Sequence, residues 1–245
     1  MAAFGTATAV MLPAFLARAS VTPSEGLDDV RDRWVGAWSR ALLRAFGVGV
    51  IVQGSSGFAS GEVRGRLVVA NHRSTADILA LLATFGGAMV SRADVAEWPL
   101  IGRAARAVGT VFVDRASAFS GATAVRAIRT RLLRGGTVIV FPEGGTSSGD
   151  EIRPFRAGAF VAALRASAPI MPVGLAYSAG SEAAFVDESF PAHLARMAAA
   201  PPSKVAMCIG TSISSAGALR AEDLRDRAHS EIVRLVGQAR RLLDG

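Results

Sequence analysis

The residues best suited to proton chemistry lie in Asn71-His72-Arg73-Ser74-Thr75-Ala76-Asp77. An imidazole with an unperturbed pKa near ~6.5 accepts a proton at neutral pH when a neighbour assists it. Asp77 is the candidate neighbour, able to fix the tautomer and orientation of His72. The same stretch has a purely structural meaning. Ser74-Thr75-Ala76-Asp77 fits the [ST]-x-x-[DE] start of a helix, with Ser74 as N-cap and Asp77 at the third helical position. The two roles are compatible, because a carboxylate in a first helical turn stays ionised beside the helix's positive end and can still accept a bond from an imidazole one turn back. A metal pair is not expected: no further His, Cys or carboxylate cluster lies near in sequence.

Positioning that histidine requires a rigid element before it and another after it. Leu67-Val68-Val69-Ala70 reads as a buried strand and Ile78-Leu79-Ala80-Leu81-Leu82 as the body of a helix, so the heptapeptide is the turn between them. Ligands collect beyond the carboxyl ends of strands in α/β sheets, which is where this turn falls. Further strand-like runs recur at 48–52, 88–90, 110–113, 137–141, 170–175 and 205–209, most of them separated by helical stretches. The expected fold is α/β, with a largely parallel central sheet flanked by helices. Residues 119–134 form the clearest intervening helix, with Val125, Ile128 and Leu132 as its apolar stripe and Gly135-Gly136 as its stop. Leu224, Ala228, Ile232, Leu235, Ala239 and Leu242 give a second helix-spaced stripe, assigned to packing.

Four blocks in order resemble the glycerolipid acyltransferases, the family of 1-acylglycerol-3-phosphate O-acyltransferase. They are Asn-His-x4-Asp at 71–77, Gly109-Thr110-Val111-Phe112-Val113-Asp114-Arg115 for G-x-x-F-x-x-R, Phe141-Pro142-Glu143-Gly144 for F-P-E-G, and the apolar Ile170-Met171-Pro172-Val173. The resemblance implies transfer of a fatty acyl group from acyl-CoA or acyl-ACP, as co-substrate and without a cofactor, to the hydroxyl of a lysolipid. It implies His72 as base with Asp77 behind it, and Arg115 on the acceptor phosphate, a task that suits a forked guanidinium. Glu143 and Gly144 belong to the acceptor-binding block, though Glu143 could equally orient Arg115 or the turn. The N–H groups of Gly144 and Gly145 are candidate oxyanion donors, and a tight turn is the plainer use of two glycines. Members that use lysophosphatidate continue F-P-E-G-T-R-S, whereas Thr146 stands here where the arginine would be. That pattern is closer to F-P-E-G-T-T-S enzymes with other acceptors, such as lyso-ornithine lipid, and leaves Thr146, Arg153 and Arg156 as candidate headgroup contacts.

The charge balance points the same way. A net charge of +7 carried almost entirely by arginine, Lys204 being the one lysine, calls for anionic partners: lipid headgroups, phosphates or an acidic carrier protein. Nucleic acid is not expected, since the chain has a single tyrosine and no basic-aromatic or zinc-finger pattern. Hydrophobic residues make up 51% of the chain and the mean hydropathy is positive, so membrane contact is expected. Residues 1–47 are read as membrane-associating helices and 48–245 as the acyltransferase domain. Residues 1–17 carry no charged side chain and suit a membrane-embedded or short spanning segment, with a cleaved signal peptide or a docked helix as alternatives. Residues 28–46 put Trp34, Trp38 and Leu42 on one helix face and Arg33, Arg40 and Arg44 roughly opposite, fitting either an interfacial helix or one packed on the domain. The expected location is the cytoplasmic face of the inner membrane. One cysteine, Cys208, excludes an internal disulfide.

Two other classes remain in view. Gly145-Thr146-Ser147-Ser148-Gly149 satisfies G-x-S-x-G, with His193 and His229 downstream as a hydrolase would need, but Ser147 stands six residues past Phe141, too far for a nucleophile elbow. A non-catalytic lipid-binding protein would have no use for the paired His72 and Asp77.

Overall fold

The computed structural model describes residues 2–57, 65–98, 101–114, 117–147, 151–179, 183–185 and 187–244. Two helices, α1 (Ala2–Ser20) and α2 (Leu27–Ala45), precede β1 (Val48–Gln53) and β2 (Arg66–Ala70). There follow α3 (Thr75–Phe85), β3 (Ala88–Arg92), α4 (Ile101–Ala107), β4 (Val111–Val113), α5 (Ala118–Leu133) and β5 (Thr137–Val140). The chain closes with α6 (Gly158–Ala166), β6 (Ile170–Tyr177), α7 (Phe190–Ala199), β7 (Ser203–Ile209) and α8 (Ala221–Asp244).

The strands form one sheet in the order β1-β7-β6-β2-β5-β3-β4. Every neighbouring pair is parallel except β6 and β7, so β1 and β7 run against the other five. β2 lies between β5 and β6, with Val69 facing Val140 on one side and Pro172 on the other. The carboxyl ends of β2 and β5 therefore open side by side.

Alternate residues of each strand feed opposite cores, as the period of two requires. Val68, Ala70, Ile139, Val173 and Leu175 join Leu42, Leu43, Leu79 and Leu82 on the α2–α3 side. Leu67, Val69, Val138 and Ile170 join Ile128, Leu132, Phe160, Leu224 and Ile232 on the side of α5, α6 and α8. Burial on both faces explains why β2, β5 and β6 read as unbroken apolar runs.

The N-terminal helices pack on this body. α1 continues through Pro13 and buries Phe4, Leu12 and Phe15. The Trp34 indole donates to the Met11 carbonyl at 2.7 Å and Trp38 donates to the Thr8 hydroxyl at 3.0 Å. The tryptophans thus face α1, and the docked-helix alternative describes them. Among the described residues no helix is long and apolar enough to cross a membrane, which corrects the spanning form of the expectation for 1–17. Physically, 17 uncharged residues interrupted by Gly5 and Pro13 and rich in alanine do not supply the hydrophobic length. α2 gives Val35, Leu42 and Leu43 to the main core.

Gly174 of β6 fixes how closely α8 approaches, since a Cβ there would lie 2.4 Å from the backbone of Leu235 and Val236. Gly174→Ala is expected to destabilise the protein by about 1–3 kcal/mol, lowering its melting temperature by roughly 4–10 °C in thermal denaturation.

Candidate functional site

His72 leaves β2 in an extended turn, and Ser74 then caps α3. The Ser74 hydroxyl accepts from Ala76 N at 3.1 Å, and Asp77 reaches back to Ser74 N at 2.7 Å, completing the capping box expected from the sequence. Asp77 does more than cap. Its Oδ2 also accepts from Arg73 N at 2.6 Å and lies 2.9 Å from His72 Nδ1, while Oδ1 accepts from the Tyr177 hydroxyl at 2.5 Å. The Asp77 side chain is fully buried, so this ring of donors stands where water would be.

A carboxylate only accepts, so His72 Nδ1 must carry the proton and Nε2 is left as the basic nitrogen. The ring lies flat on Phe141, 3.8 Å between centroids and 8° from parallel, with 15% of the side chain exposed. One face and the Nδ1 edge are thereby occupied, and the imidazole is fixed in orientation.

Tyr177 was not singled out by its sequence, yet it is the third member of this chain of bonds. Burial and the adjacent Asp77 charge push its phenol well above the ordinary value, so it donates throughout the physiological range. The available signal was that the chain's one tyrosine ends an apolar run, where a buried hydroxyl needs a partner. Asn71 makes a related contact: its amide donates to Leu175 O at 3.0 Å and accepts from Leu175 N at 2.8 Å, tying the end of β2 to β6.

The second turn follows β5. Glu143 is buried, and burial raises its pKa despite two backbone donors. Those donors are His72 N on Oε1 at 2.8 Å and Arg153 N on Oε2 at 2.9 Å. Both oxygens are thus engaged in joining the two turns, which corresponds to the turn-orienting alternative for this residue. Ser147 N adds a further tie, donating to His72 O at 3.2 Å. Gly144, at φ +81°, donates its N–H to Phe141 O at 3.2 Å. That is the tight-turn use of the glycine pair: the group closes the turn. Gly145 N–H has no acceptor among the described residues and keeps the candidacy.

Thr146 turns its hydroxyl onto the Phe185 carbonyl, while Phe185 N donates to Arg73 O at 2.8 Å. Phe185 thereby bridges the histidine turn and the glycine turn through its backbone. Arg153 and Arg156 both come to the glycine turn. A Cβ on Gly145 would meet the Arg153 guanidinium at 3.2 Å, and one on Gly144 would meet Arg156 at 2.8 Å. Arg115 lies outside the described residues.

The hydrolase constellation does not assemble. Ser147 sits in a loop, and α6 begins only at Gly158. His193 is wholly buried, 3.0 Å from Glu188 and stacked on Phe185, and His229 packs edge-on against Phe155. Among the described residues no group of three His, Cys, Asp or Glu side chains could hold a metal ion.

Comparison with known proteins places these features in context. Residues 50–176 match the family model described as Acyltransferase. The chain is 35% identical over 152 residues to the 1-acyl-sn-glycerol-3-phosphate acyltransferase of Neisseria meningitidis, covering 62% of this chain and 58% of that protein. It thus spans under two thirds of that relative's length. It is 32% identical over 240 residues to the lyso-ornithine lipid O-acyltransferase of Pseudomonas aeruginosa, covering 96% and 88% of the two chains. Among solved structures it resembles the 1-acyl-sn-glycerophosphate (LPA) acyltransferase PlsC of Thermotoga maritima, with a TM-score of 0.68, 23% identity, and 92% and 87% of the chains covered. At that identity the likeness is one of fold.

Tyr177→Phe removes a donor to a buried carboxylate while preserving ring volume. Steady-state kinetics with a thioester donor and a lysolipid should show kcat reduced about tenfold, with KM changed less than about twofold.

Proposed function

Since the chain belongs to the acyltransferase family, we propose that it moves a fatty acyl group from an acyl thioester to the hydroxyl of a lysolipid. His72 Nε2 takes the proton of the acceptor hydroxyl as its oxygen attacks the thioester carbonyl. Collapse of the tetrahedral intermediate expels the thiolate, which receives that proton from the imidazolium. The products are an ester and a free thiol, and no acyl-enzyme is needed. Gly145 N–H faces the developing oxyanion in this reading.

The observation that carries the proposal is the 2.9 Å bond from His72 Nδ1 to a fully buried Asp77. Such an Asp both selects the tautomer and stabilises the imidazolium that forms. Lysophosphatidate is our first reading of the acceptor, in keeping with the Neisseria relative's name. Lyso-ornithine lipid is the second, favoured by Thr146 in place of an arginine and by the longer alignment with the Pseudomonas relative. Acyl-CoA and acyl-ACP are the proposed donors.

Membrane attachment at the cytoplasmic face belongs to the same proposal. Val10, Leu16 and Val21 point outward on and just beyond α1, which has no charged residue before Arg18. Exposed apolar side chains on a helix whose last turn carries Arg18 suit an anionic leaflet.

His72→Ala should lower turnover by at least about a thousandfold, measured as thiol release, with the melting temperature within about 4 °C of wild type. Ser147→Ala should retain turnover. The opposite pattern would replace the acyltransferase reading with a serine hydrolase.

A further inference from the structure

The glycine turn carries a feature that the His72–Asp77 pair does not require. Gly145 and Arg153 occupy one space: a Cβ at 145 would stand 3.2 Å from Arg153 Nη2. That nitrogen donates to Thr146 O at 3.0 Å, and Arg153 Nε lies 3.9 Å from the buried Glu143 carboxylate. The guanidinium is therefore laid across the turn, with the glycine leaving room for it, while 46% of the side chain remains open to solvent.

Its placement relative to the base follows from one carboxylate. Glu143 accepts from His72 N at 2.8 Å and from Arg153 N at 2.9 Å. Adding the ~2.2 Å between carboxylate oxygens puts the two backbone nitrogens at most about 8 Å apart. A guanidinium that lies against Glu143 on one side and is open to solvent on the other thus belongs to the same pair of joined turns as the imidazole. Thr146, on the other hand, turns its hydroxyl inward to the Phe185 carbonyl.

We infer that Arg153, seated by Gly145, is the specificity-determining cation that receives the anionic group of the acceptor. The inference rests on the lysolipid acyltransferase reading and names its substrate class: a lysolipid bearing a phosphate monoester or a carboxylate. A planar guanidinium offers paired donors to two oxygens of either group.

Arg153→Gln keeps the backbone bond to Glu143 and a side-chain amide able to reach Thr146 O, and removes only the charge and the fork. Kinetics would be run with lysophosphatidate, lyso-ornithine lipid and uncharged monoacylglycerol in detergent micelles, with thiol release as readout. The expected result is a KM raised roughly ten- to hundredfold for an anionic acceptor, with kcat within about threefold and monoacylglycerol kinetics unchanged. The anion that suffers the larger loss identifies the headgroup. Arg153→Lys should recover part of the loss. An equal KM change for monoacylglycerol, or no change for both anions, overturns the inference.

Calorimetric titration of lysophosphatidate and lyso-ornithine lipid into His72→Ala, with and without Arg153→Gln, separates this idea from the activity. Loss of affinity upon Arg153→Gln supports the cation's role even if no acceptor turns over, an outcome that would sink the acyltransferase reading alone. Unchanged affinity for both anions overturns the cation's role whatever the activity.

Discussion

The buried carboxylate of Asp77 is the constraint on which the site depends. An ionised carboxylate removed from water is costly unless donors replace its hydration. Here Arg73 N, Ser74 N, His72 Nδ1 and the Tyr177 hydroxyl all point at it. Two of these fix the start of α3, one fixes the base, and one comes from the neighbouring strand β6. Capping and, in the proposed chemistry, catalysis are therefore a single interaction. The helix start holds the acid, the acid holds the ring, and the strand end holds the acid from behind.

The sheet supplies the second half. Because β5 pairs with β2 in parallel, residues separated by 71 positions meet, and Glu143 can accept from His72 N. Its pKa is raised by burial, with the two backbone donors working in the opposite direction. The carboxylate's position beneath the turns gives it a mechanical duty. It sets the spacing between the histidine turn and the glycine turn, which in the proposed chemistry is the spacing between base and oxyanion donor.

How much of this the chain discloses depends on sequence distance. The strands and α5 were legible because two-sided burial leaves unbroken apolar runs and helices leave a 3.6-residue stripe. The pairing of His72 with Asp77 was legible because both partners lie in one turn. Tyr177 was hidden because its partner is 100 residues away, on a different strand. The engagement of the Gly144 N–H was hidden too, since a glycine pair does not reveal which amide closes the turn. The tryptophans of α2 were ambiguous for a different reason: an indole N–H satisfied by a helix carbonyl and one at a lipid headgroup leave the same amphipathic pattern. Only the placement of Met11 and Thr8 decides between them.

The stacking of His72 on Phe141 restricts how any acceptor can enter. With one ring face covered at 3.8 Å and the Nδ1 edge engaged by Asp77, a hydroxyl must come in from the Nε2 side. Ser147 N, bonded to the His72 carbonyl, holds the glycine turn against the base's own backbone. The slight exposure of the imidazole limits competing water, and the space over the adjoining glycines is taken by Arg153 and Arg156. In the proposed chemistry a lipid alcohol lying along this rim meets a base of fixed tautomer, so little reorganisation is needed as the proton moves. Rigidity here originates in the packing of β2 between β5 and β6, and the turn residues convert it into chemistry.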